Sequence, residues 1–220
     1  MADISRSSLF GKLNSLGYKA VESATVFCKL RGNPYVEFMH FLHQLLELQD
    51  SDLHRILKHF EMEPSRLAAD MTSALDALPR GATSISDFSP HLENSIERGW
   101  VFGSLLYDDA VVRTAYIVIG LLKTPGLKNV LPGISGQFQR IRVEELTDQL
   151  PQIVDGSPED SLKASDGSQV GGGVAPGVAS GATAPAEMGK EEALKQFTVD
   201  LTEQARSTDM DPILGRDEEI

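Results

Sequence analysis

Two stretches of this sequence are copies of one pattern. At an offset of 75 residues, Val21, Glu22, Ala24, Phe27, Val36 and Phe41 align with Ile96, Glu97, Gly99, Phe102, Val111 and Tyr116. Leu42 aligns with Ile117 and Leu46 with Leu121, and Leu78-Pro79 has a counterpart in Leu150-Pro151 at an offset of 72. Large apolar positions stay apolar and small positions stay small, as a duplicated structural unit requires. A unit of about 70–75 residues covers its own apolar faces poorly. Two such units packed about a pseudo-two-fold axis cover each other. The repeats run over about residues 14–79 and 88–152.

The local pattern within each copy is helical. Ala20, Ala24, Phe27 and Cys28 recur at helical spacing between Lys19, Glu22, Ser23 and Lys29. Pro34 precedes a second apolar run, Phe38 to Leu48, and Leu53, Ile56, Leu57 and Phe60 make a short third. Pro64 opens a fourth helix through Leu67, Met71, Leu75 and Leu78, stopped by Pro79-Arg80-Gly81. Ser89-Pro90, with Glu93 in the first turn, opens the second copy as an N-cap followed by proline. No stretch alternates with period two between turn pairs, so no sheet is expected. The expected fold is all-α, a pseudo-two-fold double repeat of about eight short helices. Ile4, Leu9, Phe10 and Leu13 add an N-terminal helix ahead of the repeats.

Composition divides the chain in three. Residues 1–154 hold 15 Lys/Arg, 18 Asp/Glu and 13 of the 14 aromatic residues, enough for a core. Residues 155–189 hold 22 Gly, Pro, Ser or Ala in 35 positions and no aromatic, which reads as a flexible linker. Residues 190–220 hold 4 basic and 9 acidic residues and only Phe197 as an aromatic. The net charge of −12 argues against a nucleic-acid partner and against docking on an anionic membrane. The single cysteine, Cys28, forms no intrachain disulfide, and the longest apolar stretch, Ala115 to Leu122, is far short of the ~20 residues that span a bilayer. A cytoplasmic location is expected.

Two helical repeats with this first-helix pattern resemble the N-terminal domain of the Clp/Hsp100 unfoldases. The resemblance covers residues 14–152. Further on, Ala193-Leu194-x2-Phe197-x2-Asp200-Leu201-Thr202-x2-Ala205-Arg206, then Asp211-Pro212-Ile213-Leu214-Gly215-Arg216-Asp217-Glu218-Glu219-Ile220, is similar to the opening of the first ATPase ring in that family. Residues 190–220 are thereby identified as a truncated start of the first AAA+ domain. Within the family, the apolar segment before the first repeat and the link Ala77-Leu78-Pro79-Arg80-Gly81…Phe88-Ser89-Pro90 resemble the ClpV (TssH) branch of type VI secretion. One departure is that the family's histidine ahead of the second helix's apolar run is matched by His40, whereas the second copy has Ala115. The resemblance implies a partner, a helix of the contractile sheath subunit TssC (VipB). It further implies a homo-hexameric full-length AAA+ ATPase using ATP and Mg, with no cofactor in this fragment.

Catalytic chemistry finds little support. No Gly-x4-Gly-Lys-Ser/Thr run occurs, so there is no phosphate cradle, and Gly133-Ile134-Ser135-Gly136 lacks the spacing of a nucleophile elbow. His40, His43 and Glu47 share a helical face and could ligate zinc, but nothing supplies a fourth ligand. They read instead as a core histidine and a surface pair. Asp108-Asp109 and Glu144-Glu145 read as solvated helix ends rather than acid–base pairs. No catalytic and no metal residue is assigned.

The remaining candidate is a peptide-binding groove. Leu9, Phe10, Leu13 and Leu16 lie at helical spacing ahead of Ala20, Ala24 and Phe27, and the link between repeats brings Ile85, Phe88 and Leu92. Three apolar elements around a slot accept an amphipathic helix through anchors at i, i+3, i+4 and i+7. The acidic surface would favour a ligand helix carrying Lys or Arg. On this reading both Phe88→Ala and Leu13→Asp weaken binding, and leave helical content intact where the side chain is largely at the surface. The alternatives are a general disaggregase or protease-associated N domain binding unfolded segments or adaptors, and a metal enzyme built on His40, His43 and Glu47.

Overall fold

A computed structural model describes residues 5–165. The expected ATPase opening at 190–220, and the expected linker from residue 166 on, lie outside the described residues. Among the described residues the α-helices are α1 (Arg6–Gly11), α2 (Ser15–Arg31), α3 (Phe38–Leu46), α4 (Asp52–His59) and α5 (Pro64–Asp76), then α6 (Pro90–Tyr107), α7 (Thr114–Lys123), α8 (Val130–Ile134) and α9 (Val143–Ile153). Short 3-10 turns cover Gly136–Arg140 and Pro158–Ser161.

The duplication takes a reciprocal form. Asn14 caps α2 by accepting from the Gly17 N–H, and Ser89 caps α6 by accepting from the Leu92 N–H. Both caps reach the third residue of their helix, as N-caps do. The residue ahead of each cap pairs with the other repeat. Leu13 bridges Val112 in parallel, and Phe88 pairs with Val36 in parallel. The Asn14 N–H donates to Val112 O and the Ser89 N–H to Val36 O, each at 3.0 Å. The counterpart of Val36 is therefore Val112, one residue later than the 75-residue offset gives. Each repeat thus supplies the start of its first helix to the other repeat's second helix. The expectation of no sheet is corrected here. Tyr35–Val36 (β1) and Asp87–Phe88 (β2) form a two-residue parallel ladder, too short to show alternation in sequence.

The core lies between the repeats. From Thr114 to Leu121 every residue of α7 is buried. A run buried on all sides, with only the Thr114 and Tyr116 hydroxyls polar and both hydrogen-bonded, is a central core helix. It crosses α6 closely because Gly99, Gly103 and Gly120 lack side chains. A Cβ at Gly120 would stand 2.8 Å from the Arg98 carbonyl carbon and from the Gly99 nitrogen, both backbone atoms that cannot yield. Gly120→Ala is expected to cost about 1–3 kcal/mol by overpacking, read by urea denaturation. Gly126→Ala, whose Cβ meets nothing within 4 Å, serves as the control.

Asp108-Asp109 closes α6 rather than opening α7, with Asp108 in the left-handed region at φ 52°. Helix α9 runs through Pro151 to Ile153. Proline has no N–H for the Thr147 carbonyl four residues back, and the Tyr107 hydroxyl donates to that carbonyl at 2.9 Å.

The domain also extends past residue 154. Residues 155–165, expected to be linker, fold back onto the repeats. Arg55 donates to the carbonyls of Asp155 (2.9 Å) and Gly156 (3.0 Å), and Asn14 bridges Ala164 antiparallel. Glu159 is 2% exposed. Its composition disguised this strap, because a few backbone pairs and one carboxylate hold it rather than an apolar face.

Candidate functional site

Helix α1 has six residues, too few to stand without tertiary packing. Ser5 caps it, its Oγ accepting from the Ser8 N–H at 3.1 Å. Arg6 then fastens it to the opposite repeat. The guanidinium meets Asp87 at 2.5 Å, also pairs with Glu93, and lies 5.8 Å from the centroid of the Phe88 ring. Phe10 meets Phe88 edge-on, centroids 5.0 Å apart at 69°, a favoured aromatic geometry. Arg6 beside it holds the Asp87 carboxyl below the usual range. The acidic groups at this corner therefore already have a cation from within the chain.

The ten expected groove residues divide by position. Leu9, Leu16, Ile85 and Phe88 are half-buried and pack on the core from outside, and Phe10 is 8% exposed. Leu13, Ala24 and Leu92 have no exposed surface, and Ala20 has almost none. The expectation that these four line an open slot is corrected: they are buried members of the hydrophobic core. Leu13 lies in the strand-like joint between α1 and α2, its backbone paired with Val112 and Ser165, and Leu92 lies in the first turn of α6. Phe27 lies elsewhere, stacked on His43 on α3 at 4.6 Å between centroids, with the Arg31 guanidinium 5.5 Å from the centroid of its ring. The structure thus brings α1 and Phe88 together and leaves Phe27 at the α2–α3 contact.

The histidines are accounted for individually. His40 Nδ1 accepts from the Glu37 N–H at 2.9 Å, so Nε2 carries the proton and donates to Asn33 Oδ1 at 3.0 Å. The Asn33 amide in turn donates to Pro79 O. His40 thereby ties the start of the first repeat's second helix to the end of that repeat. No group of three metal-ligating side chains occurs among the described residues. Burial first, and then the charge of Arg31, lower the His40 pKa from 6.5 to about 4. The unfolded chain takes up this proton before the folded one does. Stability is therefore expected to fall by roughly 3 kcal/mol as the pH drops from about 6.5 toward 4. Urea titrations at pH 7 and 4.5 check this, and His40→Gln should flatten the difference.

Two surfaces escaped the sequence reading. Val26 (60% exposed) and Leu30 (81%) stand out on α2, and Leu105 (77%) on α6. Leu30 and Leu105 are themselves 75 residues apart, a signal the alignment of core positions did not use. A cavity of about 650 Å³ lies between α3, α4 and α5, floored by Leu46, Leu57, Met62, Leu67 and Met71. No helix among the described residues is long and apolar enough to cross a membrane.

Comparison with known proteins places this geometry. No protein-family model matches the chain. It is 61% identical over 220 residues to the AAA+ ATPase ClpV1 of Pseudomonas aeruginosa, covering all of this chain and 24% of that protein. The chain thus spans about a quarter of the length of the curated relatives it matches. A solved chain, described under coevolution of the ATPase ClpV, the TssB–TssC sheath and the accessory HsiE protein in two type VI secretion classes, is 58% identical. It has a TM-score of 0.71 and covers 73% of this chain and 99% of its own. A ClpV N-domain solved in complex with a VipB peptide is 26% identical with a TM-score of 0.61, covering 72% of this chain and 97% of its own.

Proposed function

The chain belongs to the ClpV branch of the Clp/Hsp100 ATPases, and on that premise we propose that it recognises type VI secretion sheath. Its ligand is an amphipathic helix near the N-terminus of the TssC (VipB) sheath subunit. The observation that carries this is α1 laid across the β2–α6 corner, with Leu9, Leu16, Ile85 and Phe88 half-buried around it. It occurs in a fold shared with a ClpV N-domain solved with a VipB peptide. A slot bounded by one short helix and an aromatic ring grips a foreign helix through anchors spaced along one face.

This fragment is a binding module without catalytic residues. In the full-length protein, AAA+ domains using ATP and Mg would supply the force, in the cytoplasm, without a nucleic-acid or membrane partner. A homo-hexamer would present six slots at once, so a polymer with many exposed helices would be held by avidity where a free subunit is not. Titrating the chain with synthetic VipB peptides tests the proposal. Phe88→Ala is expected to weaken that binding by about 1–3 kcal/mol while far-UV circular dichroism stays unchanged, because the ring is only half-buried. Wild-type affinity in this variant would move the site away from α1.

A further inference from the structure

The joint between α1 and α2 is the middle member of three strand-like segments. On one side, Asn14 N–H donates to Val112 O and Val112 N–H to Lys12 O, at 3.0 and 2.8 Å. On the other, Ser15 N–H donates to Lys163 O at 3.2 Å and Ser165 N–H to Leu13 O at 2.9 Å. The strap is anchored at its start by Arg55 and in its middle by Glu159. The Glu159 carboxylate reaches the same joint, accepting from the Asn14 side-chain amide at 2.7 Å. The last described residues, from which the chain continues toward residue 220, are therefore the outer edge of the hinge on which α1 hangs. Among the described residues the second repeat has no such edge: β2 pairs there with β1 alone.

We propose that residues 155–165 are a positioning strap for α1, coupling the last described stretch of the chain to the grip of the slot. The strap's backbone hydrogen bonds go to Leu13 and Ser15, at the joint itself. The strap acts through Leu13 and Asn14, which set where α1 leaves α2. A displacement that peels Ser165 from Leu13 O frees one side of the joint while Val112 still holds the other. α1 then loosens without the repeats coming apart. The inference rests on the sheath-binding proposal only for the identity of the ligand, since the strap's hold on α1 is a property of the chain alone.

The test uses the 220-residue chain with Ser165→Pro, which removes the N–H donated to Leu13 O. Hydrogen exchange at Leu9 and Phe10 amides is expected to speed up at least 10-fold while α7 amides keep their protection. Affinity for a synthetic VipB peptide should fall at least 5-fold. Coupling is reciprocal in binding equilibria, so saturating peptide should slow exchange at the Ser15 and Ser165 amides of the wild-type chain, a response a merely structural strap would not show. Unchanged α1 exchange together with unchanged affinity would overturn the proposal. If the wild-type chain ignores the peptide, the sheath reading falls, and the α1 exchange rates alone decide the strap. Should Ser165→Pro also lose α7 protection, Arg55→Gln loosens the strap at its far end, away from the joint, and the same two readouts apply.

Discussion

Glu159→Ala is expected to lower unfolding stability by about 3–5 kcal/mol, the range seen when one member of a buried charged network is removed. Glu159 is 2% exposed, and four donors converge on its carboxylate. The Asp52 N–H and the Thr114 hydroxyl meet one oxygen at 2.8 and 2.5 Å, and the Thr114 N–H and the Asn14 amide meet the other at 2.8 and 2.7 Å. These donors stand at the starts of α4, α7 and α2, where unpaired N–H groups favour negative charge. Burial, and after it the Asp52 carboxylate, push the Glu159 pKa up, and the hydrogen bonds from Thr114 and Asp52 pull against that. Asp52 itself is buried and held by Arg113 through two contacts of 2.7 and 2.8 Å, and Arg113 also meets Asp160. Truncating Glu159 leaves buried donors at helix starts from both repeats without an acceptor. Urea denaturation should show the loss. Asp160→Ala, on the exposed side of Arg113, should cost far less. Equal stability of Glu159→Ala and wild type would mean that the strap contributes nothing to the fold.

Leu13→Asp is expected to cost on the order of 4–5 kcal/mol, the scale of burying an unpaired charge, and to leave much of the chain unfolded. Leu13 has no exposed surface and sits between Val112 and the strap. Domains of this size hold only about 5–15 kcal/mol in total. Circular dichroism at 25 °C and urea midpoints check the outcome, with Leu13→Met as a volume-conserving control expected to cost under about 1.5 kcal/mol. The sequence reading treated Leu13→Asp and Phe88→Ala as equivalent probes of one slot. The structure separates them: the first reports on folding and the second on the ligand.

Much of the architecture was legible because it is written locally and twice. Proline and N-cap signals at Pro64 and Ser89-Pro90 mark helix starts that the structure confirms. The pairing of Ala24 with Gly99 kept a small residue small in both copies, and Gly99 is where α6 meets α7 closely. His40 was legible as a core histidine, since an imidazole among Phe41, Leu42 and Leu45 needs partners and finds them in Glu37 and Asn33. The slot was less legible. Helical spacing shows which side of α1 is apolar but not how much of it another segment already covers. Phe27, at the same spacing as Ala24, turned out to serve the α2–α3 contact.

Periodicity, caps and the 75-residue echo determined by themselves that this chain is a doubled helical unit with a leading helix, because each is a short-range preference that any neighbourhood leaves intact. Tertiary structure alone decided that the repeats exchange their helix starts, that Leu13 is sealed, and that a Ser/Gly-rich tail carries a buried glutamate. The reason is that an N–H at Asp52 or Thr114 finds its acceptor 107 or 45 residues away, and no local pattern records a partner that only folding brings near.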